Sequence, residues 1–297
     1  MTGIEGRIVK AVGGLYTVGT EHGRYDCNVR GIFRKHKFTP LVGDYATIEM
    51  IDDKQRTGTI TCFRERKTEL IRPRVANVDQ AVIVLAAESP PINPDMTDRL
   101  LILAEERRLD IVVCINKIDL TNEYINTLQL YESIGYRVFA VSAKTGEGFT
   151  ALKASFMCKV SALAGPSGVG KSSIVNSILE SEKMQTGELS LKLGRGKHTT
   201  RHAELIEISD GAFVVDTPGF TSLDLDDIEL PRLPELFREF RPFLGGCRFN
   251  NCRHINEPEC AVKEQVGVSI DAGRYERYIK IWREINAAAA GGGRKGY

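Results

Sequence analysis

The chain has 297 residues, 42% of them hydrophobic and 27% charged, with a net charge of +1. That length allows two or three domains, and the composition is that of an ordinary soluble globular protein. The longest apolar runs, such as Ala81–Ala87, are strand-length and too short for a membrane span.

Met1–Arg7 lacks the basic start and apolar run of a secretory signal. Seven cysteines, four of them scattered, suit a reducing compartment better than a disulfide framework, so a cytoplasmic location is expected.

Residues 1–72 read as short strands. "GRIVKAVGGLYTVGT", "GDYATIEMI" and "GTITCF" combine β-branched residues, alternation and glycine turns without a helical period. The pattern predicts a small β-barrel, of which the five-stranded OB type is a basic, nucleic-acid-binding example. A barrel used only for packing fits the strands equally well. Lys plus Arg against Asp plus Glu is 14 to 9 in 1–74, 14 to 18 in 75–222 and 12 to 12 in 223–297. The positive excess therefore lies at the N-terminus, in Arg30, Arg34, Lys35, Lys37, Arg64, Arg66, Lys67, Arg72 and Arg74. Such clusters are solvated faces or phosphate contacts.

Residues 73–222 alternate buried strands with helices. "VDQAVIVLAA" and "DIVVCINKID" are continuous apolar strands of the kind covered on both faces. "DRLLILAEERR" and "TLQLYESIG" are helical, "YRVFAVSAKTG" and "KVSALAG" are strands, and "KSSIVNSILES" is a helix. "AELIEI" and "AFVVDTPG" complete an α/β sheet.

Between "KVSALAG" and its helix lies Gly165-Pro166-Ser167-Gly168-Val169-Gly170-Lys171-Ser172-Ser173, a Walker A loop in the required strand–loop–helix setting. Its glycines let backbone N–H groups approach phosphate oxygens, and the helix N-terminus adds partial positive charge. Lys171 suits the β and γ phosphates, and the Ser172 hydroxyl suits Mg²⁺. A functionless glycine turn would not need this setting.

Asn116-Lys117-Ile118-Asp119 follows a buried strand, at the edge where α/β sheets bind ligands. A carboxylate at Asp119 can accept the N1–H and amine of guanine, whereas adenine would leave it unpaired. Asn116 can tie the base loop to the phosphate loop, and the Lys117 stem can pack over the ring. Ser142-Ala143-Lys144 after the next strand strengthens the motif, with the Ala143 N–H available to guanine O6.

Asp216-Thr217-Pro218-Gly219 ends the last sheet strand. Asp216 suits the Mg²⁺ shell and the Gly219 N–H suits the γ-phosphate. Phe220 stands where many GTPases carry a water-orienting Gln. In "GRGKHTTRH", Thr199 or Thr200 is the candidate Mg²⁺ ligand, with Thr200 the one expected to join Ser172 at the ion. His198 is a candidate for positioning water, with a solvated loop histidine as the alternative. Base motifs thus precede phosphate motifs: the set is complete but rotated, as in a circular permutation.

Residues 223–297 begin with acidic residues and prolines. They continue with Cys247-x4-Cys252-x-His254-x5-Cys260, a closed Cys3His set expected to hold one structural zinc. Arg248, Asn250, Asn251 and Arg253 lie among these ligands, as in an RNA-facing knuckle. A final helix carries Tyr275, Tyr278, Ile279, Trp282 and Ile285 at core-facing spacing. Cys27, Cys62, Cys114 and Cys158 are expected simply to pack.

The order barrel, "NKID…SAK…GPSGVGKSS…DTPGF", Cys-x4-Cys-x-His-x5-Cys resembles the RsgA family of ribosome-small-subunit-dependent GTPases over nearly the whole chain. "GIFRKHKFTPLVGDY" and "GRGKHTTRH" carry the same resemblance. It implies an α/β P-loop GTPase, circularly permuted, between an N-terminal OB-fold and a C-terminal helical zinc-binding domain. It also implies GTP hydrolysis stimulated by the small (30S) subunit and its rRNA, late subunit maturation, and His198 in place of the missing Gln. The Ala/Gly-rich tail departs from the family. A monomer is expected. The rival readings are a P-loop kinase or ATPase, against which Asp119 argues, and a nucleotide-gated RNA-binding scaffold with little turnover.

Overall fold

The computed structural model describes residues 3–31, 33, 38–70, 74–186, 204–209, 211–216, 225 and 228–292. Five N-terminal strands come first: β1 (Ile4–Val12), β2 (Leu15–Thr20), β3 (Gly23–Val29), β4 (Tyr45–Asp52) and β5 (Thr57–Phe63). They pair in the order β1-β2-β3-β5-β4, and β1 pairs again with β4 to close a barrel. The β3–β5 pairing is parallel and the rest are antiparallel. Closure leaves no free edge within the ring, and Ile8, Val18, Tyr25, Cys27, Ile48 and Ile60 fill it. This is the OB-like barrel that the short, glycine-punctuated strands predict.

A strap then crosses the barrel, with β6 (Glu69–Leu70) paired to β7 (Val75–Ala76). Gly43 is its tightest contact: φ is +94°, and a Cβ there would lie 1.9 Å from the Ala76 carbonyl oxygen. The Gly43 N–H donates to the Ile8 carbonyl at 2.8 Å, and Asn77 Nδ2 donates to the Gly43 carbonyl at 3.0 Å.

The second unit is a six-stranded sheet of β8 (Gln80–Ala86), β9 (Asp110–Asn116), β10 (Arg137–Ala140), β11 (Val160–Ala164), β12 (Glu204–Ser209) and β13 (Ala212–Asp216). The order is β10-β9-β8-β11-β13-β12, all parallel except β12. Every residue of β8 is buried, as its unbroken apolar run requires. The helices are α1 (Pro94–Glu106), α2 (Ile125–Ser133), α3 (Phe149–Ala154) and α4 (Lys171–Thr186). The short α3 was not legible from the sequence pattern. Because the strands run parallel, the turns after β8, β9, β10, β11 and β13 all emerge at one edge. Entering the sheet at β8 rather than β11 changes chain order but not this geometry. The barrel joins the sheet where Lys10 of β1 pairs with Glu204 of β12 in register and as a 3.2 Å ion pair.

The C-terminal unit contains 3-10 segments at Leu230–Leu236, Arg238–Phe243 and Lys263–Gln265, and the helix α5 (Ala272–Gly292). Its core stacks Phe237 on Phe240 with centroids 5.1 Å apart, and Tyr278 meets both edge-on. The expected α5 stripe is corrected in detail. Tyr278 and Ile285 are buried, as are Ile281 and Arg274, which the periodicity did not single out; Tyr275, Ile279 and Trp282 are half-buried against the same core. Among the cysteines expected to pack, Cys27 and Cys114 do, and burial lifts their thiol pKa values to about 11 and about 12. Cys62 and Cys158 are exposed instead.

Gly43→Ala is expected to destabilise the protein by about 1–3 kcal/mol or more, through left-handed strain and the clash with Ala76. A thermal melt showing wild-type stability would contradict this role.

Candidate active site and metal centre

The phosphate loop leaves β11 at Gly165 and enters α4 at Lys171. Gly165, Gly168 and Gly170 have φ of +142°, +84° and +98°, which L side chains rarely adopt. Two of them also face close approaches. A Cβ on Gly165 would sit 2.2 Å from the Val84 carbonyl, and one on Gly170 would sit 2.2 Å from Asn116 Nδ2. Val169 is buried, while Ser167, Gly168, Ser172 and Ser173 are exposed at the sheet edge. The Lys171 ammonium donates to the carbonyls of Gly165 at 2.7 Å and Pro166 at 2.8 Å. Partial burial lowers its pKa below the usual lysine value.

Asn116 binds the site together. Its Nδ2 donates to the Val169 carbonyl of the phosphate loop at 2.9 Å, and its Oδ1 accepts from the Ala143 N–H at 3.0 Å. The side chain is 1% exposed, so both bonds are made out of water. The sequence aimed the Ala143 N–H at guanine O6; in the structure it is turned to Asn116. Asp119 is placed by the Ser142 hydroxyl, which donates to Oδ1 at 2.7 Å, and Lys144 lies 4.0 Å from Oδ2. The Ile118 N–H donates to the Val141 carbonyl at 3.3 Å, fixing the turn between these residues. Lys117 adopts φ +64° and donates its ammonium to the Ser89 carbonyl.

Two positioning residues lie outside the motifs. Ser89 sits in an ordinary turn sequence, and Ser177 of α4 donates to the Ala143 carbonyl at 3.2 Å. Neither carries a local signal, because each acts through a long-range contact. Asp216 ends β13, whose Val215 registers with Ala162 of β11, so its backbone stands beside the root of the phosphate loop. His198, Thr199, Thr200, Gly219 and Phe220 lie outside the described residues, as does the Asp216 side chain.

In the C-terminal unit the ligand atoms of Cys247, Cys252, His254 and Cys260 all lie within 4.8 Å of one another. Cys247 Sγ is 3.8 Å from Cys260 Sγ, and His254 Nδ1 is 3.5 Å from Cys247 Sγ and 3.3 Å from Cys260 Sγ. A tetrahedral zinc with Zn–S of about 2.3 Å and Zn–N of about 2.0 Å has edges of about 3.8 and 3.5 Å. The set therefore fits such an ion and could hold a metal. Burial lowers the His254 pKa, which favours the neutral, ligating imidazole. The loop is braced by the Glu257 carboxylate, which accepts from the N–H groups of Arg253 and Ile255 at 3.0 Å each and Asn256 at 3.1 Å. Tyr275 and Tyr278 hydroxyls donate to the His254 and Arg253 carbonyls at 2.8 and 2.6 Å. Arg248, Asn250, Asn251 and Arg253 are exposed around it.

The basic residues of the barrel are largely paired. Arg66 bridges the buried Asp44 at 2.7 Å and Glu69 at 2.6 Å, Arg30 meets Glu49 at 2.6 Å, and Arg64 meets Glu5. Those three stabilise the barrel and its strap rather than forming a free cationic face. Arg34, Lys35, Lys37 and Arg72 lie outside the described residues.

The model of the RsgA GTPase family matches residues 63–226, and that of the RsgA N-terminal domain matches residues 5–60. The chain belongs to the RsgA GTPase family. Two relatives named small ribosomal subunit biogenesis GTPase RsgA show how far the likeness extends. The protein of Caldanaerobacter subterraneus subsp. tengcongensis is 47% identical over 288 residues, covering 96% of this chain and 97% of that one. The protein of Clostridium perfringens is 47% identical over 285 residues, covering 95% and 98%. Two solved structures share the fold. YloQ, described as a circularly permuted GTPase, has a TM-score of 0.82 at 36% identity and covers 96% of each chain. YjeQ from Thermotoga maritima has a TM-score of 0.83 at 36% identity, covering 95% of this chain and 98% of that one. This RsgA-family chain is thus a circularly permuted GTPase, and it hydrolyses GTP. Among the described residues no helix is long and apolar enough to cross a membrane.

Asn116→Ala would orphan the Val169 carbonyl and the Ala143 N–H together. A loss of about 1–3 kcal/mol in stability, with weakened guanine-nucleotide binding, is expected by melting and titration.

Proposed function

We propose that this GTPase acts in biogenesis of the small ribosomal subunit, hydrolysing GTP when bound to that subunit and its rRNA. The observation that carries this reading is the joining of the base and phosphate loops through Asn116 in a chain so similar to small-subunit biogenesis GTPases. The three-part division at 1–72, 73–222 and 223–297 goes with it. The barrel strands that end at Phe63 and a core around Phe237 built mainly from residues 225–285 support that division.

In this reading Asp119 accepts the guanine N1–H and amine, Lys117 packs over the ring, and Ser142 and Lys144 hold Asp119 in place. Guanine O6 takes the Ala143 N–H in exchange for part of its bond to Asn116. The Gly165–Ser173 loop presents backbone N–H groups to the phosphates, and Lys171 turns from its two loop carbonyls to their charge. Mg²⁺ bound through Ser172 and Thr200, with Asp216 behind it, would neutralise charge on the β and γ phosphates. His198 orients the attacking water, because the Phe220 side chain offers no hydrogen-bonding atom. The water attacks the γ-phosphorus, the bond to the β-phosphate oxygen breaks, and GDP and phosphate leave. The Cys247, Cys252, His254 and Cys260 centre holds one structural zinc, with all four positions filled by protein. The barrel and the Arg248–Arg253 knuckle face rRNA, in the cytoplasm, from a monomer.

The deciding experiment is GTP turnover by the purified protein with and without small subunits, beside large subunits and ATP. A large rise with GTP and small subunits is expected, and its loss in His198→Ala with GTP binding retained. No rise would overturn the subunit-triggered reading in favour of a nucleotide-gated scaffold. Metal analysis should find one zinc per wild-type chain and none in Cys252→Ser.

A further inference from the structure

Helix α1 is packed on two sides by different units. Leu100, Leu101 and Ala104 join the core of the sheet, while Ile102 belongs to the core of the C-terminal unit. Its polar residues face the same way as Ile102. Asp98 is 0% exposed and accepts from Arg274, itself 1% exposed, and from Arg277 at 2.5 Å. Arg274 also donates to the buried Glu239. Further along, Glu105 takes Arg238 and Arg241, Glu106 takes Arg232 at 2.6 Å, and Asp95 takes Lys280 at 2.6 Å. The buried charges of Asp98, Arg274 and Glu239 hold one geometry, because displacing any of them strands a charge away from water.

The other end of this helix leads to the nucleotide loops. Asn93 caps α1, its side chain accepting from the Met96 N–H at 3.2 Å, and Asp98 lies little more than one turn beyond. The segment 87–93 just before the cap touches both loops. The Ala87 N–H donates to the Asn116 carbonyl at 2.8 Å, and the Ser89 carbonyl accepts the Lys117 ammonium. Pro91, Ile92 and Met96 line a small pocket together with Pro166 and Val169 of the phosphate loop.

We infer that the C-terminal unit positions the base-reading loop. Its grip on Asp98 sets α1, α1 sets the 87–93 segment, and the Ser89 carbonyl sets Lys117. Asp98 and Arg274 are positioning residues for guanine binding, acting through the helix rather than touching the nucleotide. The chain of contacts needs no movement: the C-terminal unit adds a second set of contacts to a helix that otherwise rests on the sheet alone. The inference rests on the reading of Asn116–Asp119 as the guanine site.

The test compares full-length wild type, Asp98→Asn, Arg274→Met and Arg274→Lys. Calorimetry measures binding of GDP and of inorganic tripolyphosphate, which has phosphates but no base. Asp98→Asn and Arg274→Met are expected to weaken GDP by about five-fold or more, to weaken tripolyphosphate much less, and to leave turnover at saturating GTP near wild type. Arg274→Lys should recover part of the GDP affinity. Unchanged GDP affinity would overturn the inference. So would equal losses for GDP and tripolyphosphate, which would mean general damage. Asp98→Asn, nearly isosteric, carries the test if Arg274→Met fails to fold. Wild type that binds ADP as well as GDP would sink the guanine reading itself, and the inference with it.

Discussion

The Asn116 carboxamide is the interaction on which the site depends. One side chain joins the end of β9, the phosphate loop after β11 and the loop after β10. It can do so only because position 170 lacks a Cβ, which would lie 2.2 Å from Asn116 Nδ2. The two loops are 53 residues apart in sequence, yet their relation is set by one buried hydrogen bond. That explains how a rotated chain order is tolerated. What must be kept is the set of parallel strands that deliver these turns to one edge, not the order in which the chain visits them.

The flanking units attach to this sheet differently. The barrel meets it at one registered pair, at half-exposed ion pairs Lys10–Glu204 and Arg24–Glu207, and through one apolar core that runs from Ile8 and Val9 by way of Leu70 and Val75 to Ile83 and Leu85. Exposed pairs of this kind are worth about 0–1 kcal/mol. The C-terminal unit instead surrounds α1 with a buried charge network and a shared apolar core. What sets the C-terminal unit apart is buried charge: Asp98, Glu239 and Arg274 are all shielded from water. β12, on which the barrel rests, is also the strand that follows the "GRGKHTTRH" segment.

Much of this was legible in the sequence, for identifiable reasons. The unbroken run of β8, the glycine loop and "NKID" each encode their environment locally, so the buried strand and the turns after β11 and β9 could be placed directly. The Cys3His spacing likewise foretold a cluster whose sulfurs and ring nitrogen close to tetrahedral edges. What could not be read acts across long separations. Arg274 has the chemistry of a surface residue, and only Glu239 and Asp98, 35 and 176 positions away, make its burial tolerable. Ser89 contributes a backbone carbonyl, which has no sequence signature at all. The basic barrel residues left two readings open, a solvated face or phosphate contacts, and Arg66 is instead a brace to the buried Asp44. The α3 helix, six residues long, is too short for a period to show.

The central claim is that motifs in rotated order form one guanine-nucleotide pocket. It is tested most directly by titrating wild type and Asp119→Asn with GDP and xanthosine diphosphate, whose base offers an acceptor where guanine offers an amine donor. Wild type is expected to prefer GDP, and the variant to reverse the preference. An unchanged preference for GDP in Asp119→Asn would mean that the base is read elsewhere, and the pocket described here would not be the nucleotide site.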